Sequence, residues 1–343
     1  MVIFCPMKIK PTGGSSSFAL KLQAGLSPKG HKVIFSFQKD FDLLLVNASC
    51  PLRFLIYAKI TGRPIVHRLD GVYYKASVAG KKYLLYNLPI KIILHFFANF
   101  VVYQSEYSKK CCDKFLNVNR FIPKRIIYNG VDTSKFSNRG QTVSLRDFSD
   151  QQIFISASRF RRHDQITPLI TAFKIYLEKH DRKAKLVIIG NFEGEVINLA
   201  QKYKDNKNFS FIGPVPNEKL SAYLRAADIF LFTHLNPPCP NNIIEAMSCG
   251  LPICGVADGA MPELTTAGKN SELIPVTTDG FSSPRSLDLD LFADNMSKIY
   301  NNAESYSAQS RLKASEKFSN RQMVNSYLDV FNEIRDKNRL LKK

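Results

Sequence analysis

Short apolar runs rich in β-branched and aromatic residues recur along this chain, separated by longer stretches in which apolar residues return at helical spacing. In the first half the runs are VIFCP, KVIFSF, DLLLVN, PIVHRL, FVVYQS and RIIYN, with helical patterns such as SFALKLQAGL and PLRFLIYAKI between them. In the second half QIFISAS, KLVIIG, FSFIG, IFLFTH, LPICGV and SELIPV alternate with TPLITAFKIYLEKH, EVINLAQKY, EKLSAYLRAA and NIIEAMSCG. Strand and helix patterns alternating at this spacing predict an α/β protein with parallel sheets covered by helices on both faces. The chain has too many strand runs for one ordinary sheet, so two doubly wound, Rossmann-like domains are expected, with ligands beyond the carboxyl ends of the strands and a cleft between the domains.

The alternation breaks at DTSKFSNRGQTVSLRDFSDQQ (132–152), which is polar and aperiodic. The expected domains are therefore 1–150 and 151–343. The tail FSNRQMVNSYLDVFNEIRDKNRLLKK reads as an amphipathic helix ending in a basic cluster, able to pack back on the first domain. The most apolar stretch, 83–103, is interrupted by Pro89, Lys91, His95 and Asn99. It predicts a buried helix followed by the strand FVVY rather than a membrane span.

Composition narrows the class. Among 343 residues, 45% are hydrophobic and 22% charged, with no low-complexity tract, as in a soluble globular protein. The seven cysteines lack CxxC or Cys/His spacing, which argues against a disulfide framework or a zinc site, and no metal is expected. The opening MVIFCPMKIK is too short an apolar stretch for a signal peptide, so a cytoplasmic protein is expected. The net charge of +19 is uneven: residues 1–150 hold 23 Lys+Arg against 8 Asp+Glu, and the remainder 25 against 21. A basic first half implies an anionic partner there, such as a phosphate-bearing acceptor or an anionic membrane surface at the inner face of the membrane. Nucleic acid is not expected, because no recognisable DNA- or RNA-binding module is present.

Four stretches carry candidate chemistry. Gly13 and Gly14 stand between the first strand and a helix, where glycine lets the backbone approach a ligand. Asp70 follows the strand PIVHRL at its carboxyl end, where a carboxylate can orient a sugar hydroxyl or act as a base, or simply cap the next turn. Tyr73, Tyr74, Lys75, Lys81 and Lys82 follow it as a basic, aromatic patch suited to a membrane or an acceptor. Arg159, Arg161, Arg162 and His163 come just after the strand that opens the second half, and forked guanidinium groups suit a diphosphate. In NPPCPNNIIEAMSCG the prolines exclude helix at first, Pro240 starts one and Gly250 stops it. The amides of Asn241 and Asn242 would point toward phosphate, and Glu245, one turn in, could accept from a ribose diol or merely complement the helix dipole.

The order IIYNGVDTSKF, SASRFRRHDQITPLITAF, LVIIGN, FIGPVPNEKLSAYLRAADIFLF and NNIIEAMSCGLPICGVADGAMPEL resembles the group 1 glycosyltransferases of family 4, which have the GT-B fold. The resemblance implies two Rossmann-like domains, the acceptor held mainly by the first and the sugar nucleotide by the second. It also implies sugar transfer with retention of configuration to a glycan or lipid-linked acceptor, without a bound metal or cofactor. On this likeness Gly14 matches the glycine loop near the donor phosphates, Arg159 the phosphate-binding arginine, Val215 a main-chain contact to the base, and Glu245 the ribose-binding glutamate. Asn191, closing LVIIGN, joins the expected donor-binding residues, and Asp70 stands where many members have a histidine lining the sugar pocket. Asp70, Arg159 and Glu245 are the catalytic candidates; the donor is expected to carry UDP or GDP. Two positions depart from the family. Asp164 occupies the place of a diphosphate-binding lysine, and Pro237 that of the first of two paired acids. An anion about 5 Å from phosphate costs about 3 kcal/mol at an effective dielectric of about 20. The alternative these departures motivate is a GT-B protein that binds nucleotide or glycan with impaired catalysis.

Overall fold

The computed structural model describes residues 1–10, 13–75, 78, 81–180, 183–277, 281 and 286–340. The first elements in chain order are β1 (Val2–Phe4), α1 (Gly14–Leu26), β2 (Lys32–Ile34), β3 (Leu43–Asn47), α2 (Leu52–Ile60) and β4 (Ile65–Leu69). They are followed by α3 (Lys82–Ile92), extended by a π-helical turn at Ile93–Phe97, then β5 (Phe100–Tyr103), α4 (Glu106–Leu116) and β6 (Lys124–Ile126). Next come β7 (Gln152–Phe160), α5 (Thr167–His180), β8 (Ala184–Phe192), α6 (Glu195–Lys202), β9 (Phe209–Ile212), α7 (Asn217–Arg225) and β10 (Ile229–Phe232). The last are α8 (Asn241–Ser248), β11 (Ile253–Val256), α9 (Met261–Leu264), β12 (Ser271–Ile274), α10 (Leu289–Asn301), α11 (Ala303–Lys317) and α12 (Asn320–Leu340). Each strand run read from the sequence corresponds to one of these strands.

The chain forms two compact units, one of Met1–Gly130 with Phe281–Ser283 and Phe318–Lys343, the other of Val131–Gly280 with Pro284–Lys317. The first unit has a sheet ordered β2-β1-β3-β4-β5-β6 and the second a sheet ordered β12-β11-β10-β7-β8-β9. Both sheets are parallel throughout. Together with the helices they make the two-domain α/β architecture of the GT-B fold.

In the first unit, side-chain alternation along the strands feeds two cores. Ile3, Leu43, Leu45, Val66 and Val102 face α1 and α12, where Leu22, Tyr327 and Phe331 are buried. Phe4, Leu44, Val46 and Ile65 face the other way, onto Leu55 and Ala58 of α2 and Ile93 of the π turn. Leu69, Val101 and Tyr103 continue that face under Ile90, Leu94, Cys112 and Leu116. The second unit buries Phe154, Leu186, Ile188, Ile229 and Leu231 against α5 and α10, through Phe173, Tyr176, Phe292 and Met296.

Two expectations are corrected. The boundary falls at Gly130, not near residue 150, because the polar stretch that follows is captured by arginines of the second unit. Arg311 donates to the carbonyls of Thr133 and Phe136, Arg225 to those of Ser137 and Gln141, and Arg146 to that of Ala226 while pairing with Asp228. The helix expected to be buried in 83–103 is buried on one side only. Asn87, Ile90, Ile93 and Leu94 point inward, whereas Leu84, Leu85, Tyr86 and Leu88 are exposed.

The last helix belongs to the first unit because glycines let it approach. A Cβ at Gly25 of α1 would run into the side chain of Val324, and one at Gly130 would lie 2.7 Å from the Asn320 Cα. Overpacking of this kind costs about 1–3 kcal/mol. Gly25→Val is expected to destabilise the protein by that amount, measured by urea unfolding; unchanged stability would show that α12 does not depend on this close approach.

Candidate functional site

In the second unit, β7 and β8 pair along their full lengths, so Arg159 lies opposite Asn191 and Phe160 opposite Phe192 at the carboxyl ends of the two strands. The pairing requires glycine at 190, where φ is +147° and a Cβ would run into the Ser158 carbonyl oxygen. The next residue after β8 is Glu193. It takes Arg159 Nε at 2.6 Å and lies 3.9 Å from Arg161 Nε, in an exposed cluster. Arg162 forks onto Asp164, with Nε and Nη2 each 2.9 Å from a carboxylate oxygen. Asp164 therefore carries its own neutralising cation. Gln165 fixes this turn, its Oε1 accepting from the Arg161 and Arg162 amides at 2.8 and 3.1 Å.

The turn from β10 into α8 lies alongside. Asn242 donates from Nδ2 to the Ala157 carbonyl at 2.8 Å, which ties the start of α8 to β7 two residues before Arg159. Its side chain is thus a brace, and only its backbone amide is left to the role expected of it. Asn241 opens the helix after Pro240, with no side-chain cap. Gly250 (φ +88°) closes it: the Gly250 and Leu251 amides return to the carbonyls of Met247 and Ala246. Glu245, in the fifth position, is buried.

Pro237 is packed against the loop after β11. A Cβ on Gly259 would lie 2.6 Å from the Pro237 nitrogen, and the Ala260 amide donates to the Pro237 carbonyl at 2.8 Å. Asp258 of that loop accepts from the Asn236 amide at 2.5 Å, with Asn236 in the left-handed region at φ +56°. A carboxylate therefore stands beside the position where Pro237 offers none, and it comes from elsewhere in the chain. His234, at the end of β10, stacks on Phe232 and meets Phe160 edge-on. Burial lowers its pKa to about 4, which keeps it neutral at pH 7. Asn191 also lines a cavity of about 490 Å³ with Phe192, Phe211, Gln201 and Lys204; the lining ends at Pro214, one residue before the half-buried Val215.

In the first unit the structure brings the glycine loop to Asp70. Gly13 caps α1 with φ +119°, and Gly14 begins the helix. Ser15 donates from Oγ to Asp70 Oδ2 at 2.6 Å. The other carboxylate oxygen pairs with Arg68, which is buried within β4. Arg68 also donates to Asn47 Oδ1 at 2.7 Å and Asn129 Oδ1 at 2.9 Å, and its guanidinium stacks over Phe18 at 3.9 Å. Asp70 is thus the counter-ion of a buried arginine as well as a carboxylate at a strand end.

A sequence model described as "Glycosyl transferases group 1" matches residues 141–315, just over half of the chain. The chain belongs to the group 1 glycosyl transferases. It is 25% identical over 232 residues to an uncharacterized glycosyltransferase of Methanocaldococcus jannaschii, a match covering 63% of this chain and 52% of that protein. The chain spans about half or less of the length of the curated relatives it matches. Among solved structures it is similar to sucrose-phosphate synthase from Thermosynechococcus elongatus, with TM-score 0.75, 16% identity, and 97% and 98% of the two chains covered. It is also similar to HepE of Anabaena in complex with UDP-glucose, with TM-score 0.72, 18% identity, and coverage of 97% and 99%.

In this group 1 glycosyl transferase the sequence reading missed Arg68, Glu193 and Asp258. Arg68 sits in an apolar strand run, where an arginine implies a buried partner, and Asp70 follows two residues on. Glu193 and Asp258 each close a strand run at its carboxyl end, the same signal that singled out Asp70.

Two outcomes follow from these ion pairs. Removing the partner of a buried charge costs about 3–5 kcal/mol. Asp70→Ala is expected to destabilise the protein by about 3 kcal/mol in urea unfolding, with Asp70→Asn milder because it can still accept from Ser15; equal stability of all three would remove the counter-ion role. Exposed pairs such as Arg159 with Glu193 are worth up to about 1 kcal/mol. Glu193→Gln should therefore tighten inorganic pyrophosphate binding by up to about fivefold in calorimetry, and weaker binding would show that Glu193 aims the arginines rather than competing with phosphate.

Proposed function

We propose that the chain is a retaining glycosyltransferase that moves a sugar from a UDP- or GDP-linked donor to a glycan or lipid-linked acceptor. The observation that carries this reading is the cluster at the carboxyl ends of β7, β8, β10 and β11, where parallel α/β sheets bind ligands. Arg159, Asn191 and the start of α8 converge there within one unit, with Glu245 buried one turn into that helix. The match to the family spans this segment, and the similar Anabaena structure holds UDP-glucose.

On this reading Arg159 and Arg161 hold the diphosphate, exchanging Glu193 for phosphate oxygens, and the amides of Asn241 and Asn242 add the positive end of the helix. Glu245 accepts from the ribose hydroxyls, and Val215 keeps the main-chain contact to the base that the family likeness implies. Asp258 offers a sugar hydroxyl the carboxylate that Pro237 does not. The acceptor hydroxyl attacks the anomeric carbon on the face from which the diphosphate departs, and the departing oxygen takes up its proton. Stabilising charge on the leaving diphosphate is the main source of rate in this scheme. Arg162 is engaged with Asp164, so the cation of that pair serves to neutralise the departure at 164 rather than to bind the donor.

The test is thermal unfolding of the purified protein with UDP, GDP, ADP and their sugars. One nucleotide at a hundredfold excess over its Kd should raise Tm by about 5 °C. Glu245→Ala should remove that shift, while Asp258→Asn should spare it and remove only the further shift given by the sugar nucleotide over the bare nucleotide. No shift with any nucleotide at millimolar concentration would overturn the donor site, and a shift without sugar transfer to any acceptor would favour the binding-only reading.

A further inference from the structure

Half of the large hydrophobic side chains exposed among the described residues, nine of eighteen, lie on α2, α3 and the π turn. On α2 they recur every fourth residue, at Leu52, Ile56 and Ile60, the last 81% exposed. On α3 and its extension Leu85 is 68% and Phe96 73% exposed, with Leu84 just before them and Tyr86, Leu88 and Ile92 between them. The inward side chains of these helices pack on the same face of the first unit's sheet, and Leu55 and Ala58 of α2 share a core cluster with Ile93 of the π turn. Their outward surfaces therefore point the same way and form one apolar face. A monomer does not usually expose so much contiguous apolar surface without a use for it.

The charge around this face identifies its partner. Between Leu43 and Ser105 the only acidic residue is Asp70, which pairs with Arg68, while Arg53, Lys59, Arg63, Lys75, Lys81, Lys82 and Lys91 are all basic. Protein interfaces are depleted in lysine, whereas a helix with an apolar face and flanking lysines, whose stems lie along the apolar surface while the ammonium reaches the headgroups, suits an anionic bilayer. No helix among the described residues is long and apolar enough to cross a membrane. We propose that the face formed by α2, α3 and the π turn docks into the interfacial layer of an anionic phospholipid membrane, with the lysines at headgroup level.

The contact would sit close to Asp70. Asn87, buried in α3, accepts from the Tyr73 amide at 3.0 Å and donates to the Tyr73 carbonyl at 2.7 Å, so the chain leaving β4 and Asp70 is clamped to the docking helix. The proposal does not depend on the donor reading, since it rests on the first unit's surface and is tested without a sugar nucleotide.

The experiment is co-sedimentation of the full chain with vesicles of phosphatidylglycerol and phosphatidylcholine, and with phosphatidylcholine alone. Binding to the anionic vesicles should be at least about a hundredfold tighter and should weaken at high salt. Lys81→Glu with Lys82→Glu should weaken it about thirtyfold, and Leu85→Ser with Leu88→Ser at least about tenfold, with thermal unfolding unchanged because these side chains are exposed. Equal binding to both vesicle types, or binding indifferent to the leucine pair, would overturn the proposal. So would a dimer in the absence of lipid that the leucine pair dissociates, since a second copy would then be the occupant.

Discussion

The parallel pairing of β7 with β8 is the contact on which the second unit's site depends. It runs from Gln152 opposite Ala184 to Phe160 opposite Phe192, and it is possible only because residue 190 has no side chain to meet the Ser158 carbonyl. The ladder fixes the position of Arg159 beside Asn191, delivers Glu193 to the guanidinium groups, and gives Asn242 a carbonyl at Ala157 on which to anchor α8. A shift of one residue would turn each strand side chain to the opposite face of the sheet and separate the arginine from the helix start. Register, more than the presence of any single charged residue, makes the site.

The strands were legible because parallel sheets buried on both faces read as continuous apolar runs, a signal that survives without tertiary context. Two other properties were not. A polar stretch looks the same in sequence whether it links two domains or is held by one, and the choice was made by carbonyl contacts from Arg311, Arg225 and Arg146, one of them more than 170 residues away along the chain. An apolar helix likewise looks the same buried or exposed. The run at 83–94 has more apolar residues than the sheet beneath can cover, so Ile90 and Leu94 go inward while Leu84, Leu85 and Leu88 stay outside.

The candidate site shows a similar division. Residues attached to a helix start or a strand end, such as Gly13, Arg159 and Glu245, could be picked out by local pattern. Glu193 and Asp258 also stand at strand ends, but what each carboxylate meets could not be read locally, because Arg159 and Asn236 lie 34 and 22 residues away along the chain. The two departures from the family look different once partners are known. Asp164 stands in a forked pair with Arg162 rather than as a bare anion, and Pro237 packs against the loop that carries the carboxylate of Asp258. A lost charge at one position therefore does not measure the charge of the site.

The same reasoning separates the two halves of the net charge of +19. In the second half, where 25 basic residues face 21 acidic ones, the arginines at the end of β7 sit on carboxylates. Those cations are already compensated, so an anionic ligand gains only the difference between its oxygens and the carboxylate it replaces. The first half has 23 basic residues against 8 acidic ones, and between Leu43 and Ser105 its single acid is spent on a buried arginine. Charges that cannot be compensated within the chain extend their field into solvent, over a distance of about 8 Å at physiological ionic strength. That field falls on the apolar face of α2 and α3. An extended anionic surface satisfies both features together, whereas a small anion would neutralise the lysines and leave the leucines in water.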